Sequence, residues 1–434
     1  MKTTRLRTTT SLALSFTGVL LALTSIAQTA AEKPAAVATT SRFDLPATDD
    51  GLPGAGPIRR KDWFLKLWTQ KRSAWAQDVA KDQEALVFLG DSITQGWGDN
   101  LGDSFPGVKV ANRGIGGDTT RGVLIRLTED VLSLNPSGVV MLIGTNDLQD
   151  KADPETIAGN LKLILAALKQ HNPKMPIILC EVFPSAASKS RPAESIRKLN
   201  ALYAAAVKGD PQITLIKTWP LFADAQGDAR KDEFPDLLHP NKAGYAKWAA
   251  ALRPILATLG FLENEPDNWT PEPGFVSLFN GRDLTGWGYR TNNFDGQTAS
   301  SDGRYVARNG RLIVTTPSEG RKLAQLWTTQ EFSKDFTLKL EFRATPNADS
   351  GVFIRQPQLQ CRDYLLAGPY KTLTQYKPQD WNEMVVSVKN GTAYCTCNGE
   401  VLEAAMKVPT TGPIGLEGDC GQMEYRRIRL QETP

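Results

Sequence analysis

The chain has 434 residues, 41% hydrophobic and 22% charged, with a formal net charge of +3. That length exceeds one ordinary domain and suits two, and the apolar content excludes a disordered, collagen-like or multi-span membrane protein. The first thirty residues hold Lys2, Arg5 and Arg7 and no acid, so the remainder is neutral, which argues against nucleic acid or an anionic membrane as the main partner.

The basic start, the mostly apolar stretch 12–26 and small residues before Ala27 or Ala31 form the pattern of a cleavable export signal over residues 1–31. The stretch is short for a bilayer crossing and rich in hydroxyls, so the expectation is a secreted or periplasmic protein without stable membrane insertion. No cysteine precedes Cys180, which excludes lipid attachment at the cleavage site. Residues 32–57, rich in Ala, Thr, Pro and Gly, read as a low-complexity linker. Between 60 and 82, Trp63, Phe64, Leu67, Trp68, Trp75 and Val79 recur at mostly helical spacing, which predicts a helix whose aromatics are core packing.

Short apolar runs at 85–89, 108–111, 139–143, 177–182 and 213–216 read as buried strands. The segments 119–134, 154–169, 192–207 and 241–259 read as helices, with Pro154 and Pro192 suited to first turns. This alternation predicts an α/β domain over 58–262, a parallel sheet sandwiched by helices. The polar, Pro-rich segment 263–273 is a linker. Beyond it, strand-like runs at 312–316, 336–342, 351–355, 383–388, 392–397 and 425–430 are separated by turn signals such as Asn309-Gly310, Asn390-Gly391 and Asn398-Gly399. Residues 274–434 therefore read as an all-β sandwich. Cys180 reads as a buried inert thiol. Cys361, Cys395, Cys397 and Cys420 stand open between disulfides and free thiols, and their spacing lacks the knuckle of a zinc site, so no metal is expected.

Ligands of an open parallel sheet bind beyond the carboxyl ends of its strands. Polar groups cluster there: Gly90-Asp91-Ser92-Ile93-Thr94-Gln95, then 112–119, then Gly144-Thr145-Asn146-Asp147, and Asp236-Leu237-Leu238-His239 before the last helix. Ser92 at a strand-to-helix turn suits a nucleophile. Of the two histidines, His171 follows a helix as a cap or surface residue, which leaves His239 as base, with Asp236 able to hold its tautomer. The N–H groups of Ser92 and Gly117 and the Asn146 amide could donate to a developing oxyanion. Asp91 and Asp118 are expected to brace loops. Gln95, Trp97 and Arg121 are candidates for the pocket lining, with core packing the equal alternative for Trp97.

With these blocks in this order, the first half resembles the SGNH (GDSL-type) esterase and lipase family, with its flavodoxin-like fold, and within it the platelet-activating-factor acetylhydrolase catalytic-subunit type. Gly90-Asp91-Ser92, 112–118, Gly144-Thr145-Asn146 and Asp236-x-x-His239 carry the match. The resemblance implies Ser92 as nucleophile, His239 as base, Asp236 as its partner, and Gly117 and Asn146 in the oxyanion hole. It also implies hydrolysis of small esters, often acetyl groups on sugars, with no cofactor. No long apolar insertion is present to build a lipase channel.

From 274, Phe275-Val276-Ser277-Leu278-Phe279-Asn280-Gly281 onward, with Asp349-Ser350-Gly351-Val352-Phe353-Ile354-Arg355 and Gly412-Pro413-Ile414-Gly415-Leu416, the chain resembles the 3-keto-disaccharide hydrolase-like domain family, with a concanavalin-like sandwich. Gln358 stands where that family's stretch carries an acid. Glycan binding is thus the expectation for this half, with Arg355, Arg362, Asp363 and Tyr364 the candidate contacts. The reading as a whole is an exported short-chain esterase acting on an ester or acetylated carbohydrate. The alternatives are a lipid or thioester hydrolase on the same triad, or a carbohydrate-binding or 3-keto-glycoside-acting protein working through the second half.

Overall fold

A computed structural model describes residues 41–262, 267–315 and 324–433. The expected export signal lies outside the described residues. Among those residues, no helix is long and apolar enough to cross a membrane.

The first region opens with α1 (Asp62–Gln77). It continues through β1 (Leu86–Gly90), α2 (Ser92–Gly96), β2 (Val110–Gly114), α3 (Thr120–Asp130), β3 (Gly138–Leu142), α4 (Thr145–Gln149), α5 (Pro154–His171), β4 (Ile177–Cys180), α6 (Ala193–Val207), β5 (Ile213–Ile216), α7 (Thr218–Phe222) and α8 (Lys242–Thr258). The five strands pair in parallel in the order β2-β1-β3-β4-β5. Parity along each strand divides the core. Val87, Leu89, Val139, Met141, Ile177 and Leu179 pack on one face, in a cluster with Val123, Leu127, Leu161 and Leu199 of α3, α5 and α6. Leu86, Phe88, Val140, Leu142, Ile178 and Cys180 pack on the other, with Trp248, Leu252 and Ile255 of α8. Strands buried on both faces need apolar residues at successive positions, which is why they stand out as unbroken runs.

Helix starts follow local chemistry. Asp153 caps α5 ahead of Pro154, accepting from the Thr156 N–H at 2.8 Å. Thr119 caps α3, and Asn241 caps α8 by accepting from the Gly244 N–H at 3.1 Å. The stretch just before α1 is not the free linker its composition suggests. Leu45 is buried beside Phe64 and Trp68, and Asp49 pairs with Arg121 at 2.6 Å. Ala55 exchanges both backbone groups with the Asn160 amide.

The second region holds β6 (Val276–Ser277), β7 (Trp287–Tyr289), β8 (Asn292–Asn293), β9 (Tyr305–Arg308), β10 (Arg311–Val314), β11 (Leu326–Thr328) and β12 (Phe336–Ala344). After these come β13 (Asp349–Ile354), β14 (Gln358–Arg362), β15 (Asn382–Lys389), β16 (Thr392–Cys397), β17 (Glu400–Lys407), β18 (Ile414–Leu416) and β19 (Met423–Glu432). Among the described residues they form two antiparallel sheets. One runs β17-β16-β15-β12-β19-β10-β9, with β6 beside β19, and the other runs β14-β13-β18-β11-β7-β8. Strict alternation along β12, with Phe336, Leu338, Leu340, Phe342 and Ala344 inward, is the two-residue period of a sheet with one buried face.

The polar segment before β6 docks on this sandwich. Asp267 pairs with Arg427 at 3.0 Å and Glu272 with Arg429 at 2.6 Å. The Arg429 hydrogen bonds hold the Glu272 carboxyl down to about 2. The sandwich also grips the end of α8, where Gln422 donates to the Pro254 carbonyl at 3.1 Å and to the Thr258 hydroxyl at 2.9 Å. Cys180, Cys361, Cys395 and Cys397 are buried thiols, and burial pushes Cys180 up to about 12.

Candidate active site

The order β2-β1-β3 reverses winding direction between β1 and β3, and a crevice at that switch point is where such sheets bind ligands. The carboxyl ends of β1, β2 and β3 deliver Ser92, the 115–119 loop and Asn146 to that edge.

Asp91 caps α2, accepting from the Ile93 N–H at 2.9 Å, and so fixes the turn on which Ser92 stands. Its other carboxylate oxygen has no hydrogen-bond partner among the described residues, and burial raises the group to about 6. Ser92 Oγ lies 2.9 Å from His239 Nε2, and His239 Nδ1 lies 2.7 Å from Asp236 Oδ2. A carboxylate can only accept, so Nδ1 carries the ring proton and Nε2 is left to accept from the serine hydroxyl. Asp236 Oδ1 takes the backbone N–H groups of Leu238 at 3.0 Å and His239 at 2.7 Å. Partial burial pushes the Asp236 carboxyl up, but these donors outweigh it and hold the group below its ordinary value. The His239 and Asp236 side chains are 43% and 47% exposed, so the relay stands at the protein surface, open to substrate.

Asn146 is buried. Its Nδ2 donates to the Asp118 carbonyl at 2.9 Å, and its Oδ1 accepts from Arg191 Nη2 at 3.1 Å. Arginine only donates and a carbonyl only accepts, so the amide has one orientation, and its second N–H remains for a ligand. Gly117 sits at φ +86°, and a Cβ there would lie 2.6 Å from the Trp63 ring and 2.9 Å from Arg59 Nη1. Both the conformation and the space demand glycine. Among the described residues, neither the Ser92 nor the Gly117 N–H meets a protein acceptor.

The loop over Ser92 is held from below. Asn112 donates to the carbonyls of Thr94 at 2.7 Å and Gly98 at 2.9 Å. Gln95 accepts from the Gly116 N–H at 2.8 Å. Arg126, fully buried, pairs with Asp118 at 2.8 Å and donates to the carbonyls of Gly90 at 3.2 Å and Arg113 at 2.9 Å. One guanidinium thus ties the ends of β1 and β2 to the loop between β2 and α3. Burial raises Asp118 to about 6 against the pull of Arg126.

The structure brings Ser92, Asp236, His239, Gly117 and Asn146 to one edge. Of the expected pocket lining, Gln95 stays beside the Ser92 turn, accepting from the Gly116 N–H, whereas Trp97 and Arg121 are engaged elsewhere. Trp97 is buried, stacked at 4.5 Å on Trp248 and 5.3 Å on Tyr245. Arg121 is bound to Asp49 and the Gly56 carbonyl. Three of the four glycan candidates in the second region are also internal. Arg355 is buried and donates to the carbonyls of Pro409 and Lys334. Asp363 is buried, raised to about 6, and accepts from the Asn347 N–H, Tyr376 and Gln379. Tyr364 is buried, donating to the Gln360 carbonyl. Alternation along β14 explains the outcome for Arg362, which shares the partly exposed face with Gln358 and Gln360 and pairs with Asp349 at 2.6 Å.

Sequence reasoning missed Arg126 and Arg191. Arg126 had a signal, a cation at a buried position of α3 one turn from Val123 and beside Leu127. Arg191 had none, because it precedes a proline in an irregular segment. Further contacts on the six-stranded sheet that carries Arg362 appear only in the structure. Gln358 donates to Glu417, Trp327 packs 5.1 Å from Phe353, and Arg290 lies 4.2 Å over Trp327.

A serine hydroxyl, an imidazole and a carboxylate in line at the carboxyl edge of a parallel sheet form an arrangement capable of serine acyl transfer. Residues 88–247 match the model of the GDSL-like Lipase/Acylhydrolase family, and residues 274–431 match that of the 3-keto-alpha-glucoside-1,2-lyase-like domain. The chain is thus similar to GDSL-like acylhydrolases over its first region and to the 3-keto-glucoside-lyase-like domain over its second. It is 28% identical over 195 residues to the platelet-activating factor acetylhydrolase IB subunit alpha1 of Pongo abelii, covering 44% of this chain and 84% of that one. To the alpha2 subunit of Bos taurus it is 27% identical over 203 residues, 46% of this chain and 87% of the other. A GDSL-like lipase structure from Bacteroides thetaiotaomicron superposes with a TM-score of 0.39 at 28% identity, covering 44% of this chain and 97% of that one.

Proposed function

We propose that the protein is an exported serine esterase that removes acetyl or similarly short acyl groups from carbohydrate, and that its sandwich binds glycan. The observation that carries this is the Ser92–His239–Asp236 relay, with contacts of 2.9 and 2.7 Å, on the sheet edge whose loops also carry Gly117 and Asn146. Ser92 Oγ attacks the ester carbonyl as His239 Nε2 takes its proton. The carbonyl oxygen gains charge toward the N–H groups of Ser92, Gly117 and Asn146. The imidazolium, steadied by Asp236, protonates the departing alkoxide, and water then frees the acyl-enzyme by the same route.

Preference for a short acyl group is supported by the acetylhydrolase names of the relatives. The site edge supports it too. Only Asp91 separates β1 from α2, and only 143–144 separate β3 from α4, so these loops build no channel for a long chain. Carbohydrate is supported by the second domain, whose partly exposed Arg362, Gln358 and Glu417 would meet sugar hydroxyls. Export is supported by the basic-then-apolar amino terminus. A lipid ester is the second reading, favoured by the same relatives' names.

The test is a p-nitrophenyl ester series from acetate to laurate, followed by acetylated polysaccharide and acetylated phospholipid. The proposal expects turnover to fall steeply beyond butyrate and acetate to be released from polysaccharide. Faster turnover of laurate, or release from phospholipid alone, would replace it with the lipid reading.

Arg191 supplies a finer expectation. In Arg191→Met the Asn146 amide loses the donor that fixes its orientation, and a donor serving only the transition state affects kcat more than KM. Removing one hole donor outright costs about 10²–10³ in kcat, so misorienting it is expected to cost roughly tenfold or more, with KM nearly unchanged. Steady-state kinetics on p-nitrophenyl acetate reads this directly, and a rise in KM at constant kcat would remove Arg191 from the account.

A further inference from the structure

We propose that Trp63 forms a stacking platform for a pyranose ring on the rim of the Ser92 site, with Gln149 and Asp150, held in place by Arg59, meeting the ring's hydroxyls. The inference rests on the esterase reading and names the part of the substrate that this site selects.

The sequence pattern assigns Trp63 to the core with the other aromatics of α1, but the structure divides them. Phe64, Trp68 and Trp75 are buried, whereas Trp63 is 50% exposed. Its place is fixed nonetheless. Phe64 packs edge-on against it at 5.8 Å, and one face of α1 is pinned by Trp68 in the core and by the buried Arg72–Asp130 pair at 2.9 Å. An exposed indole held rigidly beside a reactive centre is a ready contact surface, apolar on its face and polar at its N–H.

The surroundings put it at the reactive centre. The Trp63 ring approaches Gly117 so closely that a Cβ on that glycine would lie 2.6 Å from it. Leu67, one helical turn on and on the same side of α1, lies 3.4 Å from where a Gly116 Cβ would stand, and that point is 3.8 Å from Ser92 Cβ. Trp63 and Leu67 thus run as a stripe along the loop that carries one oxyanion donor, toward the nucleophile.

The chemistry around the ring favours a sugar over an acyl chain. Arg59 reaches both Asp150 oxygens at 2.9 Å and Gln149 Oε1 at 3.0 Å, with its guanidinium carbon 6.0 Å from the Trp63 ring. Gln149 and Asp150 are exposed. A long acyl chain here would strip water from these polar groups without replacing their hydrogen bonds. A pyranose offers an apolar C–H face to the indole and a rim of hydroxyls to the exposed amide and carboxylate of Gln149 and Asp150.

The experiment compares kcat/KM on peracetylated methyl β-glucopyranoside with kcat/KM on ethyl acetate, which offers the same acyl group without the ring, for wild type, Trp63→Ala and Trp63→Phe. The expected result is a fall of about tenfold in the sugar-to-ethyl ratio for Trp63→Ala, largely restored in Trp63→Phe. Taking a ratio cancels any disturbance of Gly117 common to both esters. In a Ser92→Ala background, Trp63→Ala is expected to weaken calorimetric binding of the same acetylated glucoside to a similar degree. Active enzymes with an unchanged ratio would overturn the platform while leaving the esterase standing. A wild type inert on both esters would overturn the esterase reading and the platform with it.

Discussion

Ser92→Ala is expected to lower kcat on p-nitrophenyl acetate by roughly 10⁴-fold or more, with KM little changed. A serine hydroxyl is a poor nucleophile unless a base receives its proton, and His239 Nε2, 2.9 Å away, is the only imidazole placed to do so. The other histidine, His171, ends α5 at the surface. His239→Ala should therefore cost about as much as Ser92→Ala, and the double variant should be no worse than either, because the two groups act as one unit. Asp236→Asn should cost less, since it leaves the serine and imidazole in place and disturbs only the tautomer and the loop. Far-ultraviolet circular dichroism separates these losses from misfolding. Retention of more than a tenth of wild-type kcat in Ser92→Ala would show that another group attacks the ester.

The largest stability effect should come from Arg126→Met. Arg126 is buried with Asp118 at 2.8 Å and donates to two strand-end carbonyls, so its removal leaves an unpaired carboxylate and two carbonyls without that donor. Breaking a buried pair from one side costs about 3–5 kcal/mol. The loss should depend on pH. Burial already raises Asp118 to about 6 from an ordinary 3.8, and removing its cation raises it further. A raised carboxyl binds its proton more tightly in the folded state, so its contribution is fully present below pH 3.8 and is lost as pH rises through the folded value. The variant should thus be closer to wild type at pH 5 than at pH 8. Urea unfolding at both values tests this, and a deficit that is equal at the two pH values would mean that Asp118 does not titrate in this window.

Much of the first domain is legible in the sequence because strands buried on both faces leave unbroken apolar runs. The sequence run 213–216 coincides with β5, and the other four overlap their strands with ends displaced by up to three residues. That Ser92, His239 and Asp236 come together is legible because nucleophile-and-base chemistry restricts the choice to two histidines and to polar residues at strand ends. What could not be read were contacts set by tertiary placement. Nothing local distinguishes the exposed Trp63 from the buried Trp68, since both lie within one apolar helical pattern. Arg355, Asp363 and Tyr364 look like surface polar groups in sequence, yet each satisfies internal backbone or side-chain partners. In the sandwich, β7, β8 and β18 are too short to show a period, so the six-stranded sheet and its Glu417–Gln358 contact emerge only in three dimensions.

The central claim is that Ser92 is a nucleophile activated by His239. Covalent labelling tests it most directly. The protein is treated with a fluorophosphonate, which captures activated serines, and the adduct is located by peptide mass spectrometry. The account predicts one adduct per chain, on Ser92, abolished in Ser92→Ala and slowed at least about a hundredfold in His239→Ala. An unlabelled wild type, or an adduct on another residue, would contradict it.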